Sequence, residues 1–438
     1  MDDGTFPRKA PRDGDDLMLR APHVGERDSR TEDRQLLLDA LMAATDRLII
    51  TYTGNDERTN VRRPPAVAVG ELLDVVGRDV VVQHPLQPFD PRNFARGVLV
   101  EGKPWSFDRV TLEGARSLTG TRVSPRAFLS APLPPRELGP LELTDLVRFV
   151  EHPVRAFLRQ RLGISVGDYS DEVSDALPVE LDALEKWGVG QRLLDAVMAG
   201  TDGRTAIRAE IAAGKLPPGQ LGYPVVQSIW QGVDEIAGQA RALISGEAGS
   251  VDVKVDVAGR RLTGTVPGVR GDLLTTITYS KINPRHRLGA WARLLALCAA
   301  GESSYSAATI GRASGARGRV TVARVPAVSR EAALAALAVL IDLYDRGMRE
   351  PLPLACRTSA AFAAGANPRG EWESDRFPKE DRDAEHELVY GPGYSYASLL
   401  AAAPRDDEHW DPVERTRFGQ YALRLWHGLL AVEALGEA

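Results

Sequence analysis

At 438 residues, with 43% hydrophobic and 26% charged side chains, the chain has room for two or three domains with sizeable cores, and the balance of a globular protein. A net charge of −6 excludes an overall basic field, so any attraction to a polyanion must be local. Two cysteines, Cys298 and Cys356, exclude a disulfide framework and lack metal-ligand spacing, which makes a reduced cytoplasm the default compartment. The acidic opening "MDDGTFPRKAPRDGDD" argues against a signal peptide, and no run reaches the roughly 18 apolar residues of a membrane span.

Residues 28–54, "DSRTEDRQLLLDALMAATDRLIITYTG", predict a helix running into a strand. Ser29 and Glu32 fit a capping box, and Leu37, Leu41, Ala44 and Leu48 recur on one face. "RLIITYT" reads as a short buried strand and "AVAVGELLDVV" as a second helix. Prolines then accumulate in "QHPLQPFDPRNF" and "SAPLPPRELGPLEL", and residues 103–140 read as a connector. A second domain opens at "LELTDLVRFVEHPVRAFLRQRLGI". There Thr144 is positioned to cap a helix whose buried face is Leu146, Val147 and Val150, and Pro153 breaks it before a second helix over 154–162. Asp168, Asp171, Glu172 and Asp175 then form a solvated acidic loop.

The order of elements over 230–330 is the most informative. A helix around 232–244 leads to the alternating strand "VDVKVDV", to "RRLTGTV" across an Ala258–Gly259 turn, and to "DLLTTITY". "HRLGAWARLLALCAA" is a helix and "RVTVARV" a strand. Helix, three strands, helix, strand is the core order of restriction-endonuclease-like nucleases. A helix over 329–346 follows, and the last one, opened by Asp411–Pro412, turns Phe418, Tyr421, Ala422, Leu425 and Leu429 inward.

Motifs that could carry chemistry are mostly wanting. "GVLVEGKP" (97–104) has the glycines and lysine of a phosphate loop, but Pro104 replaces the magnesium-binding hydroxyl. None of the seven histidines lies three or four residues from another, so no zinc pair on one helix is predicted and no metal site is assigned. A nuclease of this element order holds magnesium with an acid on the second strand and an acid-x-Lys on the third. Here Pro267, Thr278 and Ser280 stand at those positions, and strand alternation sends Lys281 to the other face. Asp252 and Lys254 make an Asp-x-Lys on the first strand, where an exposed strand with charged outer residues is the plain reading. Between Ser303 and Arg330 there are five arginines (312, 317, 319, 324, 330) and no acid, with Lys281, Arg285, His286 and Arg287 just before. Such cations suit phosphate contact, and a solvated basic face explains them equally. Trp230, Trp291 and Trp426 suit base stacking or a core.

Taken together, "MDDGTFPR", "GERDSRTEDRQLLLDALMAATDRLIITYTGNDERTNVRRPPAVAVGELLDVV", "HPLQPFDPRNF" and "LTDLVRFVEHPVRAFLRQRLGI" are similar to the C-terminal part of the RecC family, the gamma chains of exodeoxyribonuclease V (the RecBCD enzyme). The resemblance runs from the first residue almost to the last and is strongest over 1–162. Family chains are more than twice as long, so the helicase-like N-terminal half is expected to lie outside this sequence. The resemblance implies an α/β fold. Residues 1–102 would end a degenerate superfamily 1 helicase-like (RecA-type) domain, 103–140 would connect, and 141–438 would be a catalytically degenerate restriction-endonuclease-like (RecB nuclease-like) domain. Ala43 falls where a helicase carries the arginine that reaches ATP, a loss that removes roughly 10³-fold or more in turnover.

The implied role is a subunit that is itself inactive, bridging RecB and RecD in double-strand break repair and recombination. Its pin splits the duplex, and its channels guide the strands. ATP and Mg²⁺ would belong to the partner subunits, with no cofactor of this chain's own. Lys281, Arg285, Arg287, Arg312, Arg317, Arg319 and Arg324 are the candidate DNA contacts, and the hairpin 251–266 is one candidate for the pin. Chi recognition belongs largely to the portion not present. The alternatives are a working Mg²⁺-dependent nuclease using Asp252 and Lys254, and a remnant that only packs against protein partners.

Overall fold

The computed structural model describes residue 6 and residues 23–25, 29–56, 59, 61–121, 127–136, 139–166, 180–301, 303–313 and 320–437. The chain divides into two units, Met1–Ser124 and Pro125–Ala438. In the first, helix α1 (Ser29–Ala43) forms as expected. Leu37, Leu41 and Ala44 are half-buried and Leu48 is exposed, while the Ser29 side chain lies outside the described residues. The expected buried strand at 47–53 is absent: the segment is irregular and Ile49 is 83% exposed. An apolar run cannot tell whether a neighbouring strand exists to pair with it. Helix α2 (Val67–Val76) buries Ala68, Val69 and Leu73. The stretch 103–140, read as a connector, contains helix α3 (Arg109–Thr119). The Asp108 carboxylate accepts from the amides of Val110 and Thr111, and Ala115 alone is buried.

The second unit is a mixed α/β structure around a seven-stranded sheet. Strand β1 (Leu141–Glu142) leads into α4 (Leu143–Glu151), whose buried face includes Leu146, Val147 and Val150. Glu142 is the N-cap, so Thr144 lies inside the helix and is not its cap. Pro153 does break the run: α5 (Pro153–Ala156) restarts it, and the turn over Phe157–Arg161 is a π-helix. The acidic loop with Asp168, Asp171, Glu172 and Asp175 lies outside the described residues. Helices α6 (Ala183–Met198), α7 (Gly203–Ala212) and α8 (Gly222–Leu243) follow, α8 beginning ten residues before the expected start at 232.

Strands β2 (Gly249–Val257), β3 (Arg260–Arg270) and β4 (Leu273–Lys281) form an antiparallel meander. Ala258 (φ 51°) and Gly259 (φ 75°) supply the two positive dihedrals of the tight turn. Helix α9 (Pro284–Ala300) crosses over to β5 (Ser306–Arg312), which lies parallel to β4; β6 (Val320–Val325) and β7 (Ala434–Glu437) complete the sheet antiparallel. The fourth strand of the core order is therefore "SAATIGR" and not the expected "RVTVARV". Its small residues are buried by the helices on either side, whereas propensity favours bulkier ones.

Helix α10 (Arg330–Gly347) is capped by Ser329. The shorter helices α11 (Cys356–Ala363), α12 (Pro368–Trp372), α13 (Ala384–Tyr390) and α14 (Tyr396–Leu400) precede α15 (Arg417–Leu430). Thr416 caps α15, correcting the expected start at Asp411; the Asp411 carboxylate instead accepts from Val413 and Glu414 in a preceding turn.

Two cores flank the sheet. On one face Val253, Val255 and Val257 pack with Phe149, Leu294, Leu340 and Trp426 from α4, α9, α10 and α15. On the other, Tyr279, Ile310 and Val322 pack with Leu193, Val233 and Ile236 from α6 and α8. The alternation of buried valines in β2 and their opposite numbers in β5 and β6 makes this three-layer arrangement. The hairpin over 251–266 is built into it, with one face in the core. Among the described residues no helix is long and apolar enough to cross a membrane.

Candidate nucleic-acid interface

Strand β4 ends beside the N-terminus of α9, the end of β5 and the start of α11. Together they frame an open cleft of about 530 Å³ lined by Ser280, Lys281, Arg287, Arg312 and Arg357, with Trp187 at one side. Thr278, at an acid position of the nuclease pattern, is 8% exposed, and its hydroxyl donates to Oε1 of Gln191 at 3.2 Å. The same oxygen accepts from the Tyr279 amide at 2.8 Å. Ser280, at the lysine position, accepts from the Trp187 indole at 2.8 Å, and its amide donates to the Thr278 hydroxyl at 3.1 Å. Trp187 and Gln191 are one turn apart on α6, so a single helix satisfies both hydroxyls. No carboxylate gathers at either position. Pro267, the remaining nuclease position, is exposed opposite Ser250.

Lys281 lines the same cleft as Ser280, contrary to the alternation argument. The β4–β5 register shifts between Ile277 and Lys281, so the period of two does not persist to the strand end. Lys281 is exposed and sits opposite Arg312 in the ladder. The Arg312 guanidinium lies 4.3 Å from the centre of the Tyr279 ring, and its Nε is buried without a hydrogen-bond partner. Arg357, exposed in the first turn of α11, adds a further cation, and Glu371 is the one carboxylate of the lining. No local pattern marks Arg357 in the sequence, because only the tertiary fold brings α11 to this edge.

The other sequence candidates separate. Arg287 is committed to Glu433, with Nε 2.9 Å from both carboxylate oxygens and Nη2 also bound to Oε2, and it stacks over Trp426. Its charge is largely neutralised although its side chain lines the cleft. Arg285 is half-buried with an unpartnered Nε, and its field acts on Glu151, whose carboxyl burial raises while Arg293, Arg285 and Arg148 oppose. His286 belongs to the Asn283 capping box, and burial pushes its imidazole below the ordinary range, so it adds no cation at neutral pH. Arg324 is exposed on β6 opposite Ala308, four residues along β5 from Arg312, and does not line the cleft. Arg317 and Arg319 lie outside the described residues. Arg330 donates to the Ala299 carbonyl.

Trp291 (4% exposed) and Trp426 (fully buried) are core residues, which removes them as stacking platforms. Trp187, 37% exposed at the cleft, is the better placed indole and carries no signal of that role in the sequence. Asp252 and Lys254 stand exposed on the outer face of β2, Asp252 accepting from the Thr265 hydroxyl at 2.6 Å. Neither belongs to a set of metal-capable side chains among the described residues; the group of three that does occur is His152, Asp383 and His386. The loop 97–104 follows no strand, and α3 begins only at Arg109, so the context of a phosphate loop is missing. Ala43 closes α1 as an exposed residue.

The model of a family described as "RecC C-terminal domain" matches residues 138–367. The chain is 42% identical to "RecBCD enzyme subunit RecC" of Mycobacterium tuberculosis (strain ATCC 25618 / H37Rv), over 99% of its own length and 41% of that protein. To the subunit of the same name in Mycolicibacterium smegmatis it is 41% identical over the same shares. To that of Escherichia coli (strain K12) it is 31% identical, over 80% of this chain and 32% of that one. The chain thus spans about two fifths of the length of the mycobacterial relatives it matches.

Proposed function

This chain belongs to the RecC family, and on that premise we propose that it is a non-catalytic, strand-guiding part of a RecBCD-type helicase–nuclease acting in double-strand break repair and recombination. In this reading residues 141–438 descend from a RecB-type nuclease domain, and residues 1–102 from the end of a superfamily 1 motor. The element order α8, β2, β3, β4, α9, β5, with β5 parallel to β4, supports the first ancestry. The second rests on the sequence resemblance. RecB and RecD would be the partners, and ATP would be hydrolysed and Mg²⁺ bound in their sites, since Ala43 offers no guanidinium to a nucleotide.

One observation carries the reading. Where a metal-dependent nuclease needs an acid and a lysine, Thr278 and Ser280 are satisfied by one helix, beside a cleft where the cations Lys281, Arg312 and Arg357 outnumber one carboxylate, Glu371. Hydroxyls bonded this way cannot gather a divalent cation, whereas the cations suit the phosphate backbone of a passing strand. The geometry favours contact over bond cleavage. Forked DNA titrated at several salt concentrations tests it. The double change Lys281→Glu, Arg357→Glu is expected to weaken binding and to lower the salt slope by about one for each lost phosphate contact, and Arg324→Glu to do much less. Equal binding by all three proteins contradicts the role of the cleft. No salt-dependent binding at all favours a chain that only packs against protein partners.

A further inference from the structure

The Pro153 break between α4 and α5 faces the turn that leads into α13, and three ligand-bearing side chains meet there. His152 and Asp383 are 231 residues apart in sequence, yet Nε2 of His152 lies 3.2 Å from Oδ1 of Asp383. His386 stacks beside them, its ring centre 4.9 Å from that of His152. One ligand atom from each of the three lies within 4.8 Å of the others. His152 is 5% and His386 2% exposed.

The hydrogen bonds fix which atoms are open. His386 Nδ1 lies 2.7 Å from the Glu380 carbonyl oxygen. A carbonyl only accepts, so Nδ1 carries the proton and Nε2 presents a lone pair. That Nε2 is buried with no hydrogen-bond partner. A buried imidazole that donates one nitrogen to a backbone carbonyl and leaves the other bare has the arrangement of a metal ligand.

We propose that His152 Nε2, Asp383 and His386 Nε2 form a site for a divalent transition metal of the zinc class, which staples the α4–α5 break to the start of α13. Two imidazoles and a carboxylate select such an ion over magnesium or calcium. The 3.2 Å edge between His152 and Asp383 is close to the spacing of about 3.3 Å that tetrahedral bonds of about 2.0 Å require. Glu385 is not a fourth ligand, because Arg155 holds both of its oxygens, at 2.6 and 3.1 Å; water takes that place. Loading has a defined cost. His152 Nδ1 accepts from the Arg155 amide at 3.1 Å, so Nε2 carries the proton and donates to Asp383, and a metal on Nε2 must shift that proton to Nδ1 and break both bonds. Two such bonds are small against three metal–ligand bonds. The histidine-spacing argument from sequence missed the site because its ligands come from two distant segments.

The whole chain, stripped with a chelator and titrated with Co²⁺, tests the site. Expected are one Co²⁺ per chain with a visible d–d band, displacement of that band by Zn²⁺, and a thermal midpoint that rises with Zn²⁺ and falls back with chelator. His386→Asn keeps an amide donor for the Glu380 carbonyl and removes the open nitrogen. It is expected to weaken binding by more than the roughly 10–100-fold that losing an outer-shell partner costs. Failure of the stripped protein to take up stoichiometric metal overturns the proposal, as does equal affinity in the variant, which would place the ion on other histidines. Should the variant not fold, the uptake and midpoint of the unaltered chain decide alone.

Discussion

Among the described residues, the unit 1–124 buries one small apolar cluster, Ala66, Val69 and Leu73. It leaves Leu36, Met42, Ile49, Val75, Phe107 and Val110 in solvent. The unit 125–438 closes two cores on opposite faces of one sheet and a third, smaller cluster around Trp372, and buries Phe149, Trp372, Trp426 and Tyr421 almost completely. Both units form helices with sound local signals. Asp108 caps α3 as well as Ser329 caps α10. The difference is that α10 has partners for its apolar face within its own unit, whereas α1 to α3 have few. Capping and propensity decide that a helix exists, and packing decides what it contributes to stability.

That contrast is open to attack. The largest effect is expected in the second unit, where Trp426→Ala removes a fully buried indole and its hydrogen bond to Ser359. A loss of about 3–5 kcal/mol in denaturant unfolding is predicted. Next comes the buried ion network. The Arg417 guanidinium meets Glu408 and Glu350, and Tyr421 donates to Glu408. Burial opposes the charge on Glu408, but Arg417, the Arg405 amide and Tyr421 hold its carboxyl down at about 2. A carboxyl whose folded pKa lies below its unfolded value of about 4.5 stabilises the fold above that value, and the benefit fades as pH falls toward 2. Acid titrations of stability should therefore be shallower in this window for Glu408→Gln than for the unaltered chain, and equal slopes would refute it. The smallest effect is expected in the first unit: Leu36→Ala, at an exposed position, should change stability by no more than about 0.5 kcal/mol. A large loss there would show that α1 has a packing partner after all.

What the sequence disclosed follows the same division. The valines of β2, the Ala258–Gly259 turn and the stripe of α15 were legible because one periodicity and one buried face coincide. Strand β5 was not, because Ala307, Ala308 and Gly311 fill a tight central position with small side chains. The strand expected at 47–53 failed for the opposite reason, having the composition without the neighbour. At the cleft, Lys281 and Arg312 could be named from local charge. Arg357, Trp187 and the commitment of Arg287 to Glu433 could not, since each depends on elements far apart in the chain. The meeting of His152 with His386 was hidden in the same way.

The most direct measurement is cleavage of linear and forked DNA by the purified chain with and without Mg²⁺, alongside Asp252→Ala. With Thr278 and Ser280 held by α6 and Asp252 isolated on the outer face of β2, no Mg²⁺-dependent product is predicted from either protein. Cleavage by the unaltered chain that disappears in Asp252→Ala would contradict the account.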